Sequence, residues 1–259
     1  MTRVGLLGAA GRMGQSLVRV APEEGVTVAA AVDRREVGRD LGVVAGVGAL
    51  GVPIVAEMDA LRDVDVVVDF SLPDAAAQLV ELLRGEPLPL VTGTTGLDEG
   101  AQEALAALAE VAPVVAAPNF SQGVTLLFHL ASLAAATLGE GFDAEIVEMH
   151  HRRKIDAPSG TALRLAEVVA EVRGLRVVHA RSGQVGPRSD DELAVLALRG
   201  GDVVGEHTLL LQGMGERLEL AHRATDRAIF ARGALRAARW ILGRSPGRYD
   251  MSDVMGLRA

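Results

Sequence analysis

Residues 4–14 read Val4-Gly5-Leu6-Leu7-Gly8-Ala9-Ala10-Gly11-Arg12-Met13-Gly14, and this stretch decides the fold. Val4 to Leu7 is apolar without polar alternation, which predicts a strand buried on both faces of a parallel sheet. The G-x-x-G-x-x-G spacing that follows predicts a tight turn opening a helix through about Ala21. Val26 to Val32 is the next strand, and it closes at Asp33-Arg34. Backbone N–H groups at such a turn are free to bind an anion, so the unit reads as a cradle for the pyrophosphate of a dinucleotide. Asp33 lies 19 residues past Gly14, where an acid is needed to accept ribose hydroxyls. Arg34 could grip a 2′-phosphate, so NADH and NADPH both stay open. The competing reading is a glycine turn used only for packing.

Val64 to Phe70, Leu88 to Val91 and Val111 to Ala116 are further strands separated by Ala/Leu-rich helical stretches. The expected fold class is α/β, a Rossmann-type doubly wound parallel sheet, with a second α+β domain carrying a mixed sheet. Ligands on doubly wound sheets bind beyond the carboxyl ends of the strands. Asp69-Phe70-Ser71, Gly93-Thr94-Thr95-Gly96 and Pro118-Asn119-Phe120-Ser121 should therefore line the same crevice as the glycine turn. After Gln122 the rhythm changes: a helix over Val124 to Leu138, a strand near Phe142 to Met149, a polar loop and a helix from about Ser159. Strands follow near Arg176 to Ala180, Leu193 to Leu198, Val203 to Leu211 and Arg217 to His222, with Gly200-Gly201-Asp202 and Gly213-Met214-Gly215 as expected hairpin turns. A final helix, Asp226 to Leu242, returns to the first domain. The expected division is 1–121 plus 231–259 for dinucleotide binding and 122–230 for substrate binding and oligomerisation.

The chain has 259 residues with a formal net charge of −8, 49% hydrophobic and 23% charged residues, enough to bury a sizeable core. An acidic balance without basic runs, and only 3% aromatic residues, gives no footprint for nucleic acid. The absence of cysteine excludes disulfides and thiolate chemistry. The apolar run from Val4 to Ala10 is too short for a secretory h-region, so a cytoplasmic location is expected. The uncharged stretch from Val111 to Gly139 is interrupted by Pro113, Pro118, Asn119 and His129, and no membrane span is expected.

Lys154 is the only lysine beside 25 arginines, and Asn119 the only asparagine. An ammonium can lose its proton when desolvated, whereas a guanidinium with pKa above about 12 cannot. Lys154 falls in the densest chemistry of the chain, Glu148-Met149-His150-His151-Arg152-Arg153-Lys154-Ile155-Asp156-Ala157-Pro158-Ser159-Gly160-Thr161-Ala162. His150 and Lys154 are the proton-capable pair. Ser159-Gly160-Thr161 opens a helix and should form an anion socket for a carboxylate, so cations and socket together predict a di-acid substrate. Adjacent histidines in an extended segment point to opposite faces and no third ligand stands at metal spacing, so no metal is expected. His129, His179, His207 and His222 read as core or interface residues, Arg152 and Arg153 as a solvated charge run.

These motifs, with Gly205-Glu206-His207-Thr208, closely resemble the 4-hydroxy-tetrahydrodipicolinate reductase family, also called dihydrodipicolinate reductases, over essentially the whole chain. The resemblance implies NAD(P)H-dependent reduction of a cyclic dicarboxylic imine in the diaminopimelate route to lysine, usually by a cytoplasmic homotetramer. It implies that Gly8, Ala9, Ala10, Gly11, Arg12 and Met13 hold the pyrophosphate and that Asp33 and Arg34 meet the adenine ribose. Phe70, Gly93, Thr94, Thr95, Ala117, Pro118, Asn119 and Phe120 complete the cofactor site, the last seven flanking the nicotinamide. His150 would be proton donor and acceptor and Lys154 proton donor, with His151, Ser159, Gly160 and Thr161 at the substrate. Two positions depart from the pattern: Asp33 stands where the family often has Glu, and Leu193-Ala194 where it commonly has Ile-Gly. The rival readings are another nicotinamide-dependent amino-acid dehydrogenase and a non-catalytic dinucleotide-binding regulator.

Overall fold

The computed structural model describes Met1 to Arg258, and the chain forms two compact units: Met1–Gln122 with the stretch from Ala228 onward, and Gly123–Arg227. The first unit runs β1 (Thr2–Leu7), α1 (Arg12–Val20), β2 (Val26–Val32), α2 (Leu41–Ala45), β3 (Ile54–Val55), β4 (Val66–Asp69), α3 (Pro73–Gly85), β5 (Leu90–Thr92), α4 (Glu99–Ala109) and β6 (Pro113–Ala116). α5 (Gln122–Leu138) leads the chain into the second unit, which continues through β7 (Asp143–His150), α6 (Gly160–Arg173), β8 (Arg176–Val178), β9 (Glu192–Arg199), β10 (Gly205–Gly213) and β11 (Glu216–Ala224). α7 (Ala228–Trp240), β12 (Gly247–Tyr249) and α8 (Met251–Val254) complete the first unit.

The first sheet has seven parallel strands in the order β12-β6-β5-β4-β1-β2-β3. Its central strands carry unbroken apolar runs, Val4 to Leu7, Val66 to Val68 and Leu90 to Val91, because both faces are covered. Val66 and Val68 face a core built with Leu17 and Val18 of α1 and Ala234, Leu235 and Ala238 of α7. Val67 faces the opposite core with Leu79 and Leu83 of α3 and Leu105 and Leu108 of α4. The strand order reverses between β1 and β4, so the loops after these two strands flank the switch point where doubly wound sheets bind ligands.

The second sheet is mixed, in the order β11-β10-β7-β9-β8. Ala144, Ile146, Leu193, Val195, Leu209 and Leu211 form one face, packed with Leu127, Ala131 and Ala135 of α5 and Leu165, Ala166 and Val169 of α6. Gln122–Gly141 is long and apolar enough to cross a membrane by length and composition alone. Leu127, Ala131 and Ala135 of this segment are part of this sheet's core.

Met214-Gly215 makes the expected hairpin, with Gly213 paired to Glu216 and Gly215 at φ 87°. Gly200-Gly201-Asp202 does not. β9 and β10 lie on either side of β7, and the connection crosses its end, where Gly200 N–H donates to the His150 carbonyl at 3.0 Å and Arg152 N–H to that of Gly201 at 3.2 Å. A glycine pair between two apolar runs looks alike whether the strands pair or straddle a third. His129 and His179 are exposed rather than core; His129 shares the outer side of α5 with the exposed Leu126, Leu130 and Leu133. β3 and β12, of two and three residues, are too short to show periodicity and were not expected.

Gly233 lets α7 lie directly on the chain at Phe120, since a Cβ at this position would overlap the Phe120 carbonyl oxygen. Gly233→Ala should lower unfolding free energy by about 1–3 kcal/mol, the usual cost of overpacking. Gly85→Ala, with nothing near its Cβ, should leave stability unchanged or slightly raised. Chemical denaturation of both variants checks the contrast.

Candidate active site

The glycine turn follows from close approaches that a side chain would forbid. Gly8 sits at φ 79°, and a Cβ there would come within 2.6 Å of the Phe70 carbonyl oxygen. A Cβ on Gly14 would overlap the carbonyls of Gly8 and Ala9. α1 starts at Gly11 with no side-chain cap and no acid in its first turn, so its N–H groups and positive dipole end have no anionic partner on their own helix. Beside it lies a cavity of about 810 Å³ whose lining includes Gly8, Gly11, Asp33, Arg34, Arg35 and Phe70. Ala9 and Ala10 are buried beneath the turn, Met13 is half-buried and Arg12 exposed. An uncapped helix start, a cradle that admits no Cβ and a cavity of this size fit a dinucleotide.

Asp33 is already engaged: it accepts from Ala10 N–H at 3.0 Å and from Arg35 N–H at 2.9 Å, and the Arg35 guanidinium lies 3.5 Å away. It therefore ties the end of β2 to the glycine turn. Arg35 joins Arg34 in the cavity lining, a residue that sequence reasoning passed over.

Asp69, 1% exposed, organises the loops after β4 and β5. It accepts from Ser71 N–H at 3.0 Å, Ser71 Oγ at 2.6 Å, Thr92 Oγ1 at 2.8 Å and Thr94 Oγ1 at 2.8 Å. Phe70 lies over Gly93, where a Cβ would overlap its ring, and meets Phe120 edge-on at 5.4 Å. Thr94 and Phe120 thus reach the cavity rim through Ser71 and Phe70, whereas Gly93, Thr94, Thr95 and Ala117 to Phe120 are not among its lining residues. Asn119 caps its own turn, accepting from Ser121 N–H at 2.8 Å.

In the second unit, β7 ends in Glu148, with no exposed surface, and His150, 9% exposed. Glu148 lies 2.6 Å from His150 Nδ1, accepts from Ser159 N–H at 3.0 Å and takes both terminal nitrogens of Arg199 at 2.8 Å. Arg199 also donates to the Asp156 carbonyl at 2.7 Å, holding the loop that carries Lys154. Lys154 Nζ pairs with Asp156 at 2.9 Å. His207, 4% exposed, meets the His150 ring edge-on at 5.2 Å, and its Nε2 lies 3.2 Å from Ser159 Oγ. Its Nδ1 is buried without a protein partner, so it is not the satisfied core residue expected. His151 is half-buried, with Nε2 3.4 Å from an Arg227 nitrogen.

Burial pushes the Glu148 carboxyl up, but Arg199, His150 and the Ser159 N–H outweigh it and hold it below the usual range. Burial pushes His150 below the ordinary imidazole value; Glu148 pulls it up, and Lys154 and Arg199 push it down. Burial takes His207 to about 4, so it is neutral at working pH. Ser159 caps α6, accepting from Ala162 N–H at 3.2 Å. Since its own N–H goes to Glu148, exposed Gly160 and half-buried Thr161 are the outward-facing part of the expected socket. Glu148 and Arg199 were missed by sequence reasoning. The signal available was alternation: Glu148 and His150 fall on the same face of β7 as the buried Ala144 and Ile146. No cluster of His, Asp or Glu suited to a metal occurs among the described residues.

The N-terminal domain of dihydrodipicolinate reductases matches residues 2–120 and their C-terminal domain residues 123–255. The 4-hydroxy-tetrahydrodipicolinate reductase of Alkalilimnicola ehrlichii is 48% identical over 99% of both chains. That of Geobacter metallireducens is 46% identical over the full length of both. A dipicolinate-bound dihydrodipicolinate reductase from a Paenisporosarcina species superposes with a TM-score of 0.79 at 28% identity, covering 96% of this chain and 97% of that one. An amine dehydrogenase from Mycobacterium smegmatis, at 14% identity and a TM-score of 0.60, shares the fold. With both domains matched in tandem and close to half of all positions identical across the full length, this chain belongs to the dihydrodipicolinate reductase family.

Proposed function

We propose that the chain reduces 4-hydroxy-tetrahydrodipicolinate, a cyclic dicarboxylic imine, to tetrahydrodipicolinate in diaminopimelate and lysine biosynthesis, using NADH or NADPH. The observation that carries this reading is the grouping of His150, Lys154 and the start of α6 around one buried carboxylate, Glu148. The names of the full-length relatives support it. When bound, the reduced nicotinamide supplies a hydride and the 4-hydroxyl leaves as water; the chain must hold both reactants and deliver a proton.

Gly8 to Met13 bind the pyrophosphate at the uncapped end of α1, and Asp33 and Arg34 meet the adenine ribose. Gly93 to Thr95 and Ala117 to Phe120 flank the nicotinamide, and Phe70 completes the cofactor site. One substrate carboxylate binds at Gly160 and Thr161, where first-turn N–H groups and the helix dipole favour an anion. His151 adds a contact, and Ser159 contributes by fixing the turn. Lys154 neutralises and protonates the reduced ring, with His150 as its partner in proton exchange. Asp156 holds the ammonium in place until the substrate competes for it.

We further propose a cytoplasmic homotetramer assembled through the outer face of the second sheet. By register, Val147, Met149, Leu196, Leu198 and Leu210 share that face, with Leu196 at 36% and Leu198 at 45% exposure. Ion pairs rim it, Arg217 with Glu219 and Arg223 with Glu206. An apolar centre with a charged rim is the anatomy of a self-association surface.

Three outcomes are expected. Lys154→Arg keeps the positive charge but should lower kcat about 10²-fold or more, the scale of a lost general acid; unchanged turnover in an assay of nicotinamide oxidation would refute the role. Asp33→Ala should weaken both cofactors by loosening Ala10, and NADH more than NADPH in fluorescence titrations; an equal loss would remove Asp33 from the ribose site. Leu198→Glu should shift the assembly toward smaller species in analytical ultracentrifugation, and an unchanged sedimentation coefficient would place the interface elsewhere.

A further inference from the structure

An ionised carboxylate can only accept hydrogen bonds. Glu148 is held ionised by a guanidinium that never loses its proton and that grips both of its oxygens, Nη1 on Oε2 and Nη2 on Oε1, each at 2.8 Å. His150 Nδ1 stands 2.6 Å from Oε2 and so must be the donor. The other ring nitrogen, Nε2, faces Gly205, where a Cβ would come within 2.9 Å of it. Gly205 begins β10, and any side chain there would crowd this nitrogen.

We infer that Glu148 is a positioning residue for proton transfer: it fixes His150 as the tautomer with hydrogen on Nδ1, leaving Nε2 to exchange the proton, while Arg199 sets how strongly the carboxylate holds the imidazolium. The inference rests on the proposed role of His150 in proton delivery.

Four charged or titratable groups face the ring. Glu148 comes from its own strand, Lys154 from the loop that follows, Arg199 from the end of β9 and His207 from β10. His207, titrating at about 4, is uncharged at working pH. Glu148 is the anion bonded to His150 and pulls it up, opposed by two cations and by burial. Removing its charge must move the imidazole further down, and removing the charge of Arg199 must move it up. Loss of packing alone has no reason to produce shifts of opposite sign.

The test uses full-length Glu148→Gln and Arg199→Gln variants with bound NADH. Histidine ¹⁵N resonances report tautomer and titration midpoint of His150, and kcat is followed against pH. The wild type should show the Nδ1–H tautomer. The midpoint, and with it the alkaline limb of kcat, should fall in Glu148→Gln and rise in Arg199→Gln. At neutral pH Glu148→Gln should lose about 10²-fold in kcat, the scale of an unfixed catalytic histidine, with KM for NADH unchanged. An Nε2–H tautomer in the wild type, or midpoints that shift together, would overturn the inference. Midpoints that shift as expected while the kcat limb stays put would leave the tautomer standing and overturn the proton-delivery role of His150. If Glu148→Gln does not fold, the wild-type tautomer and the sign of the Arg199→Gln shift decide the matter.

Discussion

A carboxylate removed from water must be met by donors on every side, or it will not stay ionised or buried. Each unit of this protein places one such group at the carboxyl end of a central strand and lets its demand for donors fix the loops around it. Asp69, closing β4, draws in Ser71, Thr92 and Thr94. Glu148, near the end of β7, draws in His150, Ser159 and Arg199. The loops beyond the strands are tied to the sheets by the donors they turn toward these carboxylates.

The two carboxylates differ in what satisfies them, and the difference suits their surroundings. Asp69 takes hydroxyls and a backbone N–H, all neutral donors from the end of β5 and from the loops that follow β4 and β5. Hydroxyls can also rotate, so the knot fixes positions without fixing a proton. Glu148 instead takes a bidentate guanidinium, which cancels most of its charge and leaves a directed bond to one imidazole nitrogen. Such a paired acid orients a histidine while Arg199 opposes its upward pull, and burial, the larger influence, leaves His150 below its ordinary value.

Much of this was legible in the sequence because it depends on backbone geometry. Gly8 and Gly14 are demanded by a left-handed φ and by close carbonyl contacts, constraints that any glycine turn into a helix must meet. The apolar runs Val4 to Leu7 of β1 and Val66 to Val68 of β4 are unbroken because both faces are covered. What stayed hidden depends on tertiary pairing. Arg199 lies 51 residues from Glu148, and nothing local distinguishes it from the other arginines. Gly200-Gly201 looked like a hairpin because the strand it crosses, β7, lies some 50 residues earlier. His207 looked like a core histidine, and only the packing of β10 against β7 sets it against His150.

The Glu148–Arg199 pair is also an unusual choice if stability were its purpose. Buried ion pairs cost several kcal/mol per ion in desolvation, and apolar replacements of similar volume are often neutral or more stable. Breaking one by removing a single partner costs about 3–5 kcal/mol, which reports the stranded charge rather than the worth of the pair. The pair makes sense through the contacts an apolar substitute could not supply: a bond to His150 Nδ1, one to the Ser159 N–H that sets the start of α6, and one to the Asp156 carbonyl behind Lys154. A leucine and a methionine could fill the same space, but they would leave the imidazole free to turn, the helix start with an unmet donor and the lysine loop without its tether.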